Sequence, residues 1–208
     1  MKSMLKDAAI LFVITLAAGL LLGCVYQLTK EPIARQEALA KERASREVFS
    51  DAASFAGLEG FEEEAAQAVL DAGGYAGASV NEVQTALDGD GNALGYVITV
   101  TSHEGYGGDI QFTVGVRADG TLNGISLLSI AETAGLGMQA GDVLVPQFAG
   151  KNAYPYVYTK TGAAADNEID AISGATVTTK AVTDGVNAGL YYFHTALNGA
   201  GEGAAHEE

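Results

Sequence analysis

Asp170-Ala171-Ile172-Ser173-Gly174-Ala175-Thr176-Val177-Thr178-Thr179-Lys180 sets an acid, four hydroxyls and a base close together in one short stretch. Ser173 is a suitable N-cap for a helix expected from about Gly174 to Leu197. Capping does not account for Gly174-Ala175 directly before Thr176, because small residues clear space for a group to approach the backbone. A helix start also offers free N–H groups and the positive end of the dipole, a natural seat for a phosphate. The residues alone leave two readings open: a simple cap, or a phosphate ligand near residues 173–176.

Other stretches imitate known sites and fail on spacing. Asp88-Gly89-Asp90-Gly91-Asn92 begins like an EF-hand loop, but Ala93 stands where the bend needs glycine and Thr99 where a bidentate glutamate is needed. It is expected to be a hairpin turn. Gly135-Leu136-Gly137-Met138-Gln139-Ala140 matches G-x-G-x-x-A, but Pro146 cuts off any long helix, and no acid lies in Ala153-Tyr154-Pro155-Tyr156-Val157. There is no Walker motif and no local Ser/His/Asp signature. His103, His194 and His206 match no zinc-ligand spacing. With Cys24 as the one cysteine, an internal disulfide and a cysteine-held cluster are excluded.

The elements that must position the hydroxyl stretch follow from periodicity. Residues 80–87, 93–102, 110–117 and 122–130 are β-rich, separated by the strong turn signals at 88–92 and 118–120. Residues 61–72 form an acidic helix closed by Gly73-Gly74. In the last helix Val177, Ala181, Val182, Val186, Leu190 and Phe193 recur at helical spacing as a core stripe, with Thr178, Thr179 and Lys180 near its start. The fold class is α+β with an antiparallel sheet, not alternating βαβ.

At the amino end, residues 8–29 carry no charge and are long enough to cross a hydrocarbon core of about 30 Å. The run exceeds a usual signal-peptide h-region and no A-x-A site follows. Leu21-Leu22-Gly23-Cys24 loosely resembles a lipobox, which would put lipid on Cys24; a membrane span is preferred, with Cys24 as a small apolar residue within it. Residues 1–7 precede it as a tail. Residues 30–53 are expected to be a charged helical stalk, with Pro32 in its first turn. Residues 54–198 then form the folded domain, and 199–208 a disordered tail. The net charge of -15 argues against nucleic acid and against docking on anionic lipid.

Asp170-x-x-Ser173-Gly174-Ala175-Thr176 resembles the flavinylation motif of the FMN-binding domain family. Ala131-Glu132-Thr133-Ala134-Gly135-Leu136-Gly137 resembles that family's E-T-x-G-L-G segment, and Gly105-Tyr106-Gly107-Gly108-Asp109-Ile110 its G-Y-G-G turn. The apolar run followed by Tyr26-Gln27-Leu28-Thr29-Lys30-Glu31-Pro32-Ile33 resembles the start of the G subunits of Rnf-type electron-transport complexes. Those proteins are related to the C subunits of sodium-translocating NADH:quinone reductases. The resemblance runs from about residue 5 to residue 197. It departs at Ala131, where a polar or basic residue is frequent, and at Ala134, where proline is frequent.

The resemblance implies FMN held covalently, its phosphate esterified to Thr176, with Ser173, Gly174 and Ala175 around the attachment. It implies a ring site with Glu132, Thr133, Leu136, Gly137 and Met138 along one wall, and an Asp170 read by a flavin transferase. Tyr106 is open between stacking near the flavin and filling the core. The function implied is electron relay in a membrane-bound, ion-translocating ferredoxin:NAD oxidoreductase. The partners would be the other subunits of that complex, with the single-span chain's soluble domain outside the cytoplasm and no catalysis by the chain alone. Two alternatives remain: a flavin-bearing subunit of an extracellular reductase, and a membrane-anchored sensory domain holding FMN noncovalently.

Overall fold

A computed structural model describes residues 2–198. The chain divides into two compact units, Met1–Ala40 and Lys41–Glu208. The expectation for residues 199–208 lies outside the described residues.

The first unit is helical throughout its described part, within α1, Lys2–Val48. It is long and apolar enough to cross a membrane, with mean hydropathy 2.6 in its most apolar window and none of that window buried. The sequence suggests a tail over 1–7, a span over 8–29 and a stalk from residue 30 with Pro32 in its first turn. One helix runs through instead, and Pro32 lies inside it. Proline deprives the Leu28 carbonyl of its N–H partner. The site is exposed, so water can replace that bond, and the flanking Arg35–Glu31 pair at 2.7 Å bridges the same turn.

The second unit opens with residues 41–48 of α1 and continues as a five-stranded antiparallel meander. Its strands are β1 (Ser54–Gly57), β2 (Ala78–Leu87), β3 (Ala93–Ser102), β4 (Ile110–Arg117) and β5 (Leu122–Ser129), paired in that order. β3 and β4 have the expected bounds; β2 starts two residues earlier and β5 ends one earlier than the pattern suggests. Neighbouring strand residues face opposite ways. One face carries Ile98, Val100, Phe112 and Val114 into the main core, packed with Leu70 of α2 (Glu63–Ala72) and with Val182, Val186 and Leu190 of α4 (Thr176–Tyr192). A π-helical turn, Phe193–Leu197, continues α4 to the expected end.

The other face carries Ala86 and Val97, which pack with Val48, Phe49 and Ala52. The stalk reading leaves this stretch open between a solvated charged helix and a docking surface. Ala44, Ser45, Val48 and Phe49 are buried, since i,i+4 spacing puts 44 beside 48 and 45 beside 49 on one face. Polar bonds complete the seat: Ser45 Oγ donates to Gln84 Oε1 at 3.1 Å, Lys41 Nζ to Glu82 at 2.7 Å, and Asn123 Nδ2 to the Val48 carbonyl.

The hairpin between β2 and β3 depends on Asp88. Its carboxylate accepts the Asn92 side-chain amide at 3.0 Å and the backbone N–H groups of Asn92 and Asp90 at 2.8 and 2.9 Å. These bonds, the Asn92 side chain foremost, hold its pKa below the ordinary 3.8. A carboxyl depressed in the fold stabilises it above the ordinary value, and that contribution is lost as pH falls through the lower folded value. In denaturant titrations, wild type is expected to be more stable than Asp88→Asn at neutral pH, with the gap closing below pH 3.8. A gap that stays constant through the acid range contradicts this.

β7 (Glu168–Asp170) pairs in parallel with β6 (Val157–Thr159) and leads the chain into the hydroxyl stretch. Gln147 clasps the Asp170 backbone, donating to its carbonyl at 3.1 Å and accepting its N–H at 2.7 Å. Strands of three residues leave no alternation to read in sequence.

Candidate functional site

The start of α4 is shaped by the turn before it. The Ala175 N–H donates to the Ile172 carbonyl at 3.0 Å, and Gly174 sits at φ +78°, the left-handed region that favours glycine. This turn makes Ala175 the N-cap residue, two positions beyond Ser173, and no side chain caps the helix. The expected Ser173 cap is therefore not formed; Ser173 is exposed. Thr179 braces the turn from inside, its Oγ1 accepting the Ile172 N–H at 3.1 Å and donating to the Ala175 carbonyl at 2.9 Å. The first N–H groups of α4 are left for an external acceptor.

Facing this helix start is the segment after β5. Gly135 at φ +77° bends it, and Leu136 and Met138 N–H both donate to the Thr133 carbonyl, at 3.1 and 3.3 Å. A short 3-10 turn, Gly137–Gln139, then passes into α3 (Ala140–Val143), the G-x-G-x-x-A stretch having no long helix. Gly137 must be glycine: a Cβ there would come within 2.5 Å of Thr178 Oγ1 and 2.7 Å of Glu132 Cβ.

Between the two lies a cleft of about 470 Å³, within the roughly 300–1,000 Å³ of small-molecule sites. Glu132, Thr133, Leu136 and Gly137 line one side, and Gly174, Ala175 and Thr176 the other. Ser173, Met138 and Asp170 are not among the lining residues. Met138 is exposed, and the Asp170 carboxylate accepts the Ala163 N–H at 2.6 Å, closing the loop between β6 and β7.

Three further residues complete the lining: Tyr106, Val177 and Thr178. Val177 belongs to the expected core stripe but is exposed, because the first turn of α4 faces the cleft and core packing begins deeper along the helix. Thr178 is 1% exposed and takes part in the lining at the inner end of the cleft's helix wall. Its place two residues after Thr176 was the available signal, but only the close approach of Gly137 shows that it faces the opposite wall.

Charge near the cleft is mostly compensated. Lys180 Nζ is bound by Glu104 at 2.7 Å and Asp184 at 2.8 Å, and these carboxylates, Asp184 first, raise its pKa above the ordinary lysine value. The unpaired positive potential is that of the α4 dipole. The arrangement can seat an anion at the helix start, beside the half-buried Thr176 hydroxyl, and a flat apolar body against Leu136 and Val177.

Residues 105–191 match the FMN-binding domain family, and residues 1–48 match the RnfG N-terminal region. The chain is 32% identical over 194 residues to the G subunit of the Na(+)-translocating ferredoxin:NAD(+) oxidoreductase complex of Acetobacterium woodii, covering 92% of each. It is 29% identical over 202 residues to the G subunit of the proton-translocating ferredoxin:NAD(+) oxidoreductase complex of Clostridium ljungdahlii, covering 93% of this chain and 97% of that one. Among solved structures, NqrC of Shewanella oneidensis aligns with a TM-score of 0.49 at 24% identity, over 60% of this chain and 62% of that one.

Proposed function

Because this chain belongs to the RnfG family of ion-translocating oxidoreductase complexes, we propose that it relays electrons through FMN joined by a phosphoester to Thr176. It does so as one subunit of a membrane-bound, ion-translocating ferredoxin:NAD oxidoreductase. The observation that carries the reading is the uncapped start of α4, which opens with the Thr176 hydroxyl onto the cleft.

The residues present fit such a group. No side chain caps the start of α4, the small residues Gly174 and Ala175 face Leu136 and Gly137 across the cleft, and the exposed side chains of Leu136 and Val177 line it. The N–H groups of the first turn of α4 would hold the phosphate, and Thr133, Leu136, Gly137 and Val177 would enclose the ring. When bound, FMN supplies the electron acceptance and donation, and the protein binds, orients and tunes. In the attachment step Thr176 Oγ1 forms a bond to the phosphorus of an activated flavin phosphoanhydride. The anhydride P–O bond would break, its electron pair leaving with the displaced phosphate, the hydroxyl proton would pass to water, and a flavin transferase would catalyse the exchange. The phosphodiester keeps one negative charge, which the helix start stabilises by about 0.3–1 kcal/mol if exposed. Asp170 closes the neighbouring loop and presents the motif to the transferase.

The single apolar helix anchors the chain, and we place the folded unit on the extracytoplasmic side, where a tether keeps the cofactor from diffusing away. Lys30, Arg35, Lys41, Arg43 and Arg46 after the span outnumber Lys2 and Lys6 before it, against the positive-inside tendency. The family resemblance outweighs that small bias. The two relatives are named for different ions, sodium and proton, so the coupling ion is not fixed by kinship.

Purification from native membranes tests the reading. The chain is expected to bring several multi-span subunits with it and to carry flavin that is reduced and reoxidised reversibly within the complex. Recovery with a soluble acceptor domain alone would favour an extracellular reductase. Recovery alone, with flavin that does not cycle, would favour a sensory domain.

A further inference from the structure

The connection from β3 to β4, residues 103–109, is fixed from several sides. His103 Nδ1 lies 3.0 Å from Asp109 Oδ1 at its base, and His103 Nε2 lies 3.2 Å from Ser79 Oγ on β2. Lys180 of α4 donates to Glu104 Oε2 at 2.7 Å. Glu132 Oε1 accepts two backbone N–H groups of the turn, Tyr106 at 2.8 Å and Gly107 at 3.3 Å. Gly105 and Gly107 have no room for a side chain: a Cβ would meet the Gly108 carbonyl oxygen at 2.1 Å and the Ala131 carbonyl oxygen at 2.1 Å respectively.

The backbone is thus locked, while the Tyr106 side chain is 74% exposed and its hydroxyl has no partner among the described residues. Tyr106 nevertheless lines the cleft. A locked turn carrying a free aromatic ring at the mouth of an apolar cleft is suited to cover something flat. Aromatic groups pair by offset stacking or edge-to-face contact, with centroids about 4.5–7 Å apart.

We infer that Tyr106 covers the open face of the ring bound in this cleft, and that Glu132 is the residue that positions it, a role that rests on the flavin reading above. Glu132 then acts through the turn with Oε1, rather than simply standing as part of a ring wall. A carboxylate accepting two N–H groups makes charge-assisted bonds, stronger than neutral ones. Glutamine keeps an oxygen acceptor at the same reach but loses the charge; alanine loses both. Tyr106 is exposed, so its replacement leaves the core untouched.

The test uses the full chain co-expressed with a flavin transferase, with flavin content measured after denaturation and folding checked by circular dichroism. The readout is quenching of bound-flavin fluorescence by iodide at fixed ionic strength. The quenching slope is expected to rise about twofold or more in Tyr106→Ala and to stay near wild type in Tyr106→Phe, which keeps a ring to cover the flavin. It is expected to rise in Glu132→Ala and to be largely restored in Glu132→Gln, which separates positioning from charge, since both remove the carboxylate. Equal slopes for wild type and Tyr106→Ala at equal loading overturn the covering role. Equal slopes for Glu132→Ala and Glu132→Gln overturn the positioning role. A wild-type chain that carries no flavin overturns the flavin reading and this inference together, and is seen before any slope is measured.

Discussion

Thr176→Ala is expected to reduce covalent flavin to background while leaving the fold intact. Thr176 opens α4, is half-buried, and its hydroxyl makes no hydrogen bond among the described residues. The helix start is held instead by Thr179. Alanine is the best helix former, so the stability change should lie within about 0.5 kcal/mol. The chemical change is total, because no oxygen remains to form the ester. Ser173→Ala is the informative control. Ser173 is exposed and does not cap the helix, so its loss should leave a fluorescent band on a denaturing gel when the chain is co-expressed with a transferase. A band lost in both variants would point to motif recognition rather than attachment. A band surviving in Thr176→Ala would place the attachment elsewhere.

Phe49→Ala is expected to destabilise the folded unit by about 3–5 kcal/mol, a large share of the roughly 5–15 kcal/mol a domain possesses. Phe49 is fully buried among Val48, Ala52, Ala86 and Val97, with the Arg117 guanidinium 5.6 Å from its ring centre. The sheet makes room for it. A Cβ on Gly95 would come within 2.9 Å of Phe49 Cζ, and one on Gly115 within 3.3 Å of Phe49 Cε2. Truncation leaves a cavity that such a rigid surface fills poorly. The urea midpoint of the chain in detergent should fall with the slope unchanged. A midpoint equal to wild type would mean that the end of α1 is a detachable stalk and not part of this core.

That prediction marks where the sequence was hardest to read. Lys41, Glu42, Arg43, Arg46 and Glu47 make residues 41–48 look solvated, and the buried face is only Ala44, Ser45, Val48 and the following Phe49. The glycines that receive this face lie far along the chain, on β3 and β4, so no local pattern announces the contact. The strands themselves were legible because each is a run of eight to ten residues rich in β-formers, set off by turn signals. β1, β6 and β7 were too short to show any.

At the site, the cleft sets Glu132, Thr133, Leu136 and Gly137 opposite Gly174, Ala175 and Thr176, segments that only the family resemblance, not residue spacing, linked in sequence. Their physical roles were not legible there. Ser173 looks like a cap until the left-handed Gly174 moves the helix start two residues on. Val177 fits the core stripe until its turn proves to face the cleft. The bond from Glu132 to the Tyr106 turn joins segments that sequence spacing does not connect.

The most direct test of the central claim is a peptide mass measurement on the wild-type chain co-expressed with a flavin transferase. The proposed chemistry predicts a peptide containing Thr176 heavier by FMN less one water, with fragmentation placing the added mass on Thr176. A wild-type peptide recovered only at its unmodified mass, from preparations in which the transferase is active on a control protein, would contradict it.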